Sequence, residues 1–108
     1  MTMYNPPPHP GSILQEELEA LGISAREFAR HIGVAASTVT RVLNEKSPIT
    51  PEMAVKISAA IDGPKPSTWL AMQADYDAWQ AEHRIDISRI TRILPKLSHE
   101  DGMQHIPA

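Results

Sequence analysis

Several features that would support catalysis, export or membrane insertion are missing from this 108-residue chain. It contains no cysteine, which excludes disulfides and thiolate metal sites and is compatible with a reducing cytosol. No apolar run approaches the roughly 18 residues of a membrane-spanning helix, and residues 1–11 have neither a basic nor an apolar signal region. The chain length supports one domain with a small core. We therefore expect a single cytoplasmic domain without a large catalytic cleft.

The titratable residues also lack the spacings that metal binding and catalysis require. The five histidines, at positions 9, 31, 83, 99 and 105, form no H-x3-H or H-E-x-x-H pair. Carboxylates lie together at Glu16-Glu17 and at Asp75 with Asp77, but no base or nucleophile accompanies them. No glycine-rich phosphate loop or G-x-S-x-G motif occurs. We expect no enzyme activity, no metal and no cofactor, and we place His9 at a helix entrance.

Positive charge is also scarce, and it is unevenly distributed. The formal net charge of −3 argues at first against a DNA partner, because phosphate contacts require lysine and arginine. However, residues 24–46 carry a net charge of +2, whereas residues 1–23 and 47–83 carry −3 each and residues 84–108 carry +1. A locally basic segment on an acidic scaffold favours DNA on one side and a basic protein on another. A difference this small also arises by chance.

What the sequence does contain is a helix-turn-helix pattern between Ser24 and Asn44. Ala29 is small enough for two helices to cross closely, and Gly33 lies at the turn, where a positive φ is easiest without a Cβ. Val39 and Val42 repeat with the spacing of one buried helix face. The pattern predicts two helices joined by a tight turn.

The opposite face of the second helix in this motif is polar. Short hydroxyl side chains and a guanidinium are the groups that read base edges and phosphates in a major groove. An ordinary helical hairpin with a solvated polar face is the alternative. The candidate DNA-binding residues are Arg26, Ser37, Thr38, Thr40, Arg41, Asn44 and Lys46.

Turn and capping signals divide the rest of the chain into further helices. A first helix begins at Pro10 or Gly11, with Ser12 as a possible cap, and a helix after it is capped by Ser24. Later helices follow the Thr50-Pro51 start signal and Ser67. These signals predict five helices. They divide the chain into three units: an N-terminal arm (1–9), a helix-turn-helix DNA-binding domain (10–83) and a C-terminal extension (84–108).

The apolar residues near the end of the chain allow more than one interpretation. Trp69, Met72, Tyr76 and Trp79 form a helical stripe. We assign Trp69 to the core, whereas Trp79 fits the core or a dimer interface. Beyond His83, Ile85 and Ile87 alternate as in a strand, whereas Ile90, Ile93, Leu94 and Leu97 fit a helix that Pro95 interrupts. So much aliphatic surface requires cover from the domain itself or from a second copy. The candidate dimer contacts are Trp79, Ile85, Ile87 and Ile90.

With these helices placed, the chain resembles the HigA family of antitoxins among the XRE-type helix-turn-helix proteins. The resemblance rests on HPG (9–11), EEL and LGIS (16–18 and 21–24), the helix-turn-helix, LN (43–44), ITPEMA (49–54) and WLAMQADYDAW (69–79). It implies an all-α, five-helix, lambda-repressor-like domain and a homodimer that represses its own operon. Because one reading helix covers only a few base pairs and pairs of identical chains are usually two-fold symmetric, we expect an inverted-repeat operator in double-stranded DNA. The resemblance also implies neutralisation of a RelE-like toxin that cleaves messenger RNA.

The resemblance leaves the toxin contact and two positions open. Ala35 lies where many relatives have Ser or Thr, and Ala25 lies where relatives often have Gln. A toxin that binds RNA needs a basic surface, which would complement acidic side chains. The candidate toxin-binding residues are Glu16, Glu17 and Glu19, preferred over Asp75 and Asp77. A solitary regulator without a toxin, and a helical adaptor that has lost DNA binding, are the alternative functions.

Overall fold

A computed structural model describes residues 6–96, which form five helices and no strand. The helices are α1 (Pro10–Leu21), α2 (Ala25–Ile32), α3 (Ala36–Leu43), α4 (Pro51–Ala60) and α5 (Pro66–Arg84). This arrangement confirms the predicted all-α helix-turn-helix fold. Predictions for residues 1–5 and 97–108, Leu97 among them, lie outside the described residues. No described helix combines the length and apolarity needed to cross a bilayer.

The ends of α1 and α2 follow their local sequence signals. Gly22 and Gly33 have left-handed backbones, with φ of 72° and 75°, a conformation that is strained for residues with a Cβ. After Gly33, the Val34 amide donates back to the Ala29 carbonyl at 3.0 Å. This hydrogen bond closes α2 and turns the chain sharply into α3.

Helix α1 begins at Pro10 as predicted, but its cap and the start of α5 differ from the predictions. His9, and not Ser12, caps α1: the Gly11 amide donates to His9 Nδ1 at 2.8 Å, whereas Ser12 Oγ donates to the His9 carbonyl. An imidazole nitrogen can therefore take the role of the usual oxygen acceptor. The prediction of His9 at a helix entrance is confirmed. Helix α5 begins at Pro66, one residue before Ser67, because proline is tolerated in a first helical turn.

One hydrophobic core joins the five helices. Helix α2 packs on α3, α4 packs on α5, and α1 contacts both α3 and α5. Trp69 of α5 is fully buried, as the core interpretation of this residue predicts. The core consists of Leu14, Leu18, Phe28, Ala29, Val39, Val42, Ile49, Met53, Ala54, Ile57, Ile61 and Trp69.

The first turn of α1 lies directly against the last turn of α3. A Cβ placed on Gly11 would overlap the carbonyl group of Val42, and both Gly11 and the preceding Pro10 are buried. Only a residue without a side chain permits this approach. The contact therefore sets where the end of α3 lies relative to α1.

Residues 85–96, called the C-terminal tail below, are exposed along their whole length. They form neither of the alternatives left open by the sequence, a strand or a helix, because a turn breaks the pattern: the Ile90 amide donates to the Ile87 carbonyl at 3.0 Å. The domain does not cover the isoleucines of the tail, since Ile87 and Ile90 are each 68% exposed.

Candidate nucleic-acid interface

Helix α3 divides cleanly into a buried and an exposed face. Val39 and Val42 are buried against the rest of the core. The other face points away from the core, as the helical period of Val39 and Val42 requires. The residues that the structure exposes there are Ser37, Thr38, Thr40 and Arg41.

The predicted cations outside α3 lie on the elements that precede and follow it. Arg26 lies in the first turn of α2, and Lys46 follows α3 in the connecting loop; both are exposed, as is Asn44. Within residues 6–96, neither Arg26, Arg41 nor Lys46 forms an ion pair with a carboxylate. Their charges are therefore available to an anionic partner.

The chain leaves α3 through a hydrogen-bonded turn with an unusual residue at its centre. The Glu45 amide donates to the Val42 carbonyl at 3.0 Å, and the Lys46 amide donates to the Arg41 carbonyl at 2.8 Å. Glycine normally occupies the central position of such a turn, but Glu45 adopts a φ of 63°. A left-handed residue with a side chain costs on the order of 1–3 kcal/mol. The turn directs Lys46 and its loop back toward the end of α3.

Gln73 of α5 holds the far end of this loop. The Ile49 amide donates to Gln73 Oε1 at 2.8 Å, and Gln73 Nε2 donates to Asp77 Oδ1 at 3.0 Å. Gln73 is buried, so an unpaired Ile49 amide would be costly there. This role of Gln73 was not predicted from the sequence, although a glutamine one turn after Trp69, on the apolar face of α5, was the available signal.

A polar cleft of about 230 Å³ lies behind the loop, between it and α5. His9 forms one wall, and its ring meets the edge of Tyr76 with centroids 4.8 Å apart. Burial lowers the pKa of His9, while the charges of Glu45 and Asp77 oppose that shift. The ring is therefore neutral near pH 7, which leaves Nδ1 free to accept the α1 capping hydrogen bond.

The predicted acidic residues lie on a different element. Glu16 and Glu19 of α1 are exposed and Glu17 is half-buried; Gln15 Nε2 donates to Glu19 Oε2 at 3.0 Å. The candidate DNA-binding residues therefore lie on α2, α3 and the loop, whereas the acidic set lies on α1.

The candidate dimer contacts lie on the last turns of α5 and in the tail. Trp79 is half-buried, and its ring lies 4.5 Å from the His83 ring and 6.5 Å from that of Tyr76, measured between centroids. Its Nε1 is buried and has no hydrogen-bond partner among residues 6–96. Ile85, Ile87 and Ile90 are exposed.

Comparisons with known proteins agree with this geometry. Residues 14–66 match a helix-turn-helix family model. An Escherichia coli HTH-type transcriptional regulator, YddM, is 45% identical over 87 residues, covering 81% of this chain and 92% of the relative. A Coxiella burnetii addiction-module antidote protein of the HigA family superposes with a TM-score of 0.74 at 33% identity, covering 82% of this chain and 98% of its own.

A further structure, of a Pseudomonas aeruginosa protein in complex with its 18-bp operator DNA, has a TM-score of 0.73 at 30% identity and covers 82% of this chain and 97% of its own. The chain belongs to the HigA family of DNA-binding helix-turn-helix regulators.

Two alanines stand at the starts of α2 and α3 in this HigA-family chain. Ala35 caps α3 without a side-chain hydrogen bond, so one amide at the start of α3 lacks the acceptor that Ser or Thr would supply. Ala25 opens α2 and offers no polar group. Among the described residues, no group of three or more His, Cys, Asp or Glu side chains is placed to hold a metal ion.

The neutral ring of His9 predicts that this HigA-family protein loses stability in mild acid. Burial lowers the folded-state pKa of His9 below its ordinary value of 6.5, so the unfolded chain binds more protons as the pH falls. The free energy of unfolding is therefore fully retained above about pH 6.5 and decreases as the pH falls through the folded-state pKa. Urea unfolding at about pH 7.5 and about pH 5 measures the decrease.

Two variants assign this decrease to His9. His9→Asn keeps a capping acceptor without a titrating ring and should show a smaller decrease than the natural chain. His31→Asn, at an exposed position, should keep the full decrease. If His9→Asn and the natural chain respond equally to acid, His9 is not the titrating group.

Proposed function

We propose that this HigA-family protein is the antitoxin of a toxin-antitoxin pair: a homodimer that represses its own operon and neutralises a RelE-like, messenger-RNA-cleaving toxin. The observation that carries the DNA-binding part is the exposed polar face of α3, flanked by cations that no carboxylate neutralises within residues 6–96. The similarity to a protein solved with its operator supports it. Because its operator is cellular DNA, we place the protein in the cytoplasm.

The proposed contacts divide into reading and anchoring groups. Ser37, Thr38, Thr40 and Arg41 face outward along α3, where a major groove would receive them. Arg26, Asn44 and Lys46 lie at the flanks of α3, where phosphate backbones pass. Ala35 and Ala25 contribute no polar side chain, so Arg26 and Arg41 carry more of the affinity.

Two copies of α3 are needed for useful specificity, because one reading helix covers only a few base pairs. Closed pairs of identical chains are usually two-fold symmetric. We therefore propose an inverted-repeat operator with half-sites about 10 base pairs apart, or a multiple of that spacing. Trp79, Ile85, Ile87 and Ile90 are the proposed dimer contacts, since they place apolar surface at the end of α5 that the domain leaves open.

Arg41→Ala should weaken operator binding. Removing a guanine contact would cost roughly 1–3 kcal/mol and relax specificity at one position, whereas removing a phosphate contact would weaken all sequences alike and reduce the salt slope by about one unit. Titration of the mapped operator at several salt concentrations distinguishes the two. Lys65→Ala is the matched control, since Lys65 is an exposed cation at the start of α5 and should bind DNA normally. Unchanged binding by Arg41→Ala would remove it from the interface.

The proposed toxin contact uses the acidic side of α1. A ribonuclease toxin must attract phosphate, so its basic surface would complement Glu16, Glu17 and Glu19. Because these residues lie on α1 and the candidate DNA contacts on α2, α3 and the loop, both partners could be bound through separate surfaces.

Replacing Glu16, Glu17 and Glu19 with lysine should slow association with the toxin encoded beside this gene, because the reversed charges would meet a basic surface. Specific operator recognition should stay intact, because α1 carries none of the candidate DNA contacts. Arg41→Ala should weaken operator binding and leave toxin binding unchanged. The affinities for the toxin and for the operator are measured for both variants. Equal losses of both activities would contradict separate surfaces. If the natural chain binds no toxin encoded by an adjacent gene, the protein acts as a solitary regulator, in line with the name of the Escherichia coli relative.

A further inference from the structure

The C-terminal tail and the residue before it carry a strip of positive charge. Arg84, Arg89, Arg92 and Lys96 are exposed, and Asp86 is the one acidic residue between positions 84 and 96. This segment, called the basic arm, has a net charge of +3, whereas the whole chain has −3. We propose that the basic arm binds DNA phosphates beside the half-site that α3 reads. The proposal rests on the proposed operator binding.

The charges of the arm are not neutralised within the described part of the chain. Asp86 is engaged in a local turn, where the Ser88 amide donates to its Oδ1 at 2.9 Å. None of the four cations forms an ion pair within residues 6–96. The domain offers acidic surface to fold onto, since residues 47–83 carry a net charge of −3, yet the arm stays exposed. Its charge is therefore available to a polyanion outside the chain.

The arm leaves the domain beside a predicted DNA contact. Gln80 of α5 lines the same cleft as Lys46, and Arg84 follows Gln80 by one helical turn, or about 6 Å along the axis. The arm therefore begins about one helical turn beyond the cleft that the loop after α3 lines. From this attachment point, the proposed contact is to the duplex that α3 would bind.

The length and spacing of the arm fit a nucleic-acid backbone. The twelve residues 85–96 can span up to about 40 Å when extended, slightly more than the ~34 Å rise of one turn of B-DNA. Cations recur every three or four residues at Arg89, Arg92 and Lys96. Arginine also pairs with phosphate oxygens through two donors at once. The isoleucines between these cations remain available for the proposed dimer contact.

The test is the salt dependence of operator binding by full-length protein carrying Arg89→Gln, Arg92→Gln and Lys96→Gln. Removal of each phosphate contact should reduce the slope of log K against log salt by about 0.9, and thus by about 2.7 per arm. Affinity near 0.15 M salt should fall roughly tenfold or more. The decrease should appear on operator DNA with about one helical turn of flanking duplex and shrink on DNA trimmed to the half-sites.

Two controls separate this role from others. Thr91→Ala, at an exposed position between Arg89 and Arg92, changes the same segment without changing its charge or a proposed dimer contact and should keep the natural salt slope. Sedimentation of the glutamine variant should match that of the natural chain, whereas a shift to monomer would mean that the cations act in assembly and would overturn the proposal. If the glutamine variant keeps the natural salt slope while operator binding still depends on Arg41, only the proposal for the basic arm is overturned. No operator binding by the natural chain would overturn the proposed function as well.

Discussion

The close approach of α1 to the last turn of α3 is the constraint on which the rest of the interface depends. Gly11 lies so near the Val42 carbonyl that no side chain fits between them, and His9 closes the start of α1 with its ring nitrogen. Because Val42 also belongs to the turn that leads to Lys46, this contact fixes both the reading helix and the loop that follows it. Packed backbones have little freedom to adjust, so the polar face of α3 is presented in one orientation.

The same arrangement separates the surfaces that different partners would use. Apolar side chains of all five helices meet in one core, which leaves the polar face of α3 on one side and the acidic residues of α1 on another. Cations near α3 and in the basic arm have no carboxylate partners within residues 6–96. In a chain of net charge −3, such unpaired positive charge would concentrate the proposed attraction for DNA in two places and leave the acidic scaffold to the proposed basic partner.

Features with local causes could be predicted from the sequence, and those with distant causes could not. Ser24, Gly33 and Thr50 set helix ends through neighbouring backbone groups, so the helices and the exposed face of α3 were predicted. Gln73 pairs with an amide 24 residues away, which no local pattern encodes. Glu45 adopts a backbone conformation that its side chain disfavours. The tail has no local signal strong enough to choose between helix and strand, and it forms neither within residues 85–96.

The measurement that tests this account most directly compares Gly11→Ala with Gly63→Ala in operator affinity and in urea unfolding. A Cβ on Gly63 would meet only ordinary contact, 3.5 Å from Ile61 Cγ2, whereas one on Gly11 would force α1 and α3 apart. We predict that Gly11→Ala lowers the free energy of unfolding by about 1–3 kcal/mol and weakens operator binding under conditions where the protein remains folded, while Gly63→Ala changes neither appreciably. Natural stability and natural operator affinity in Gly11→Ala would contradict the claim that this contact positions the reading helix.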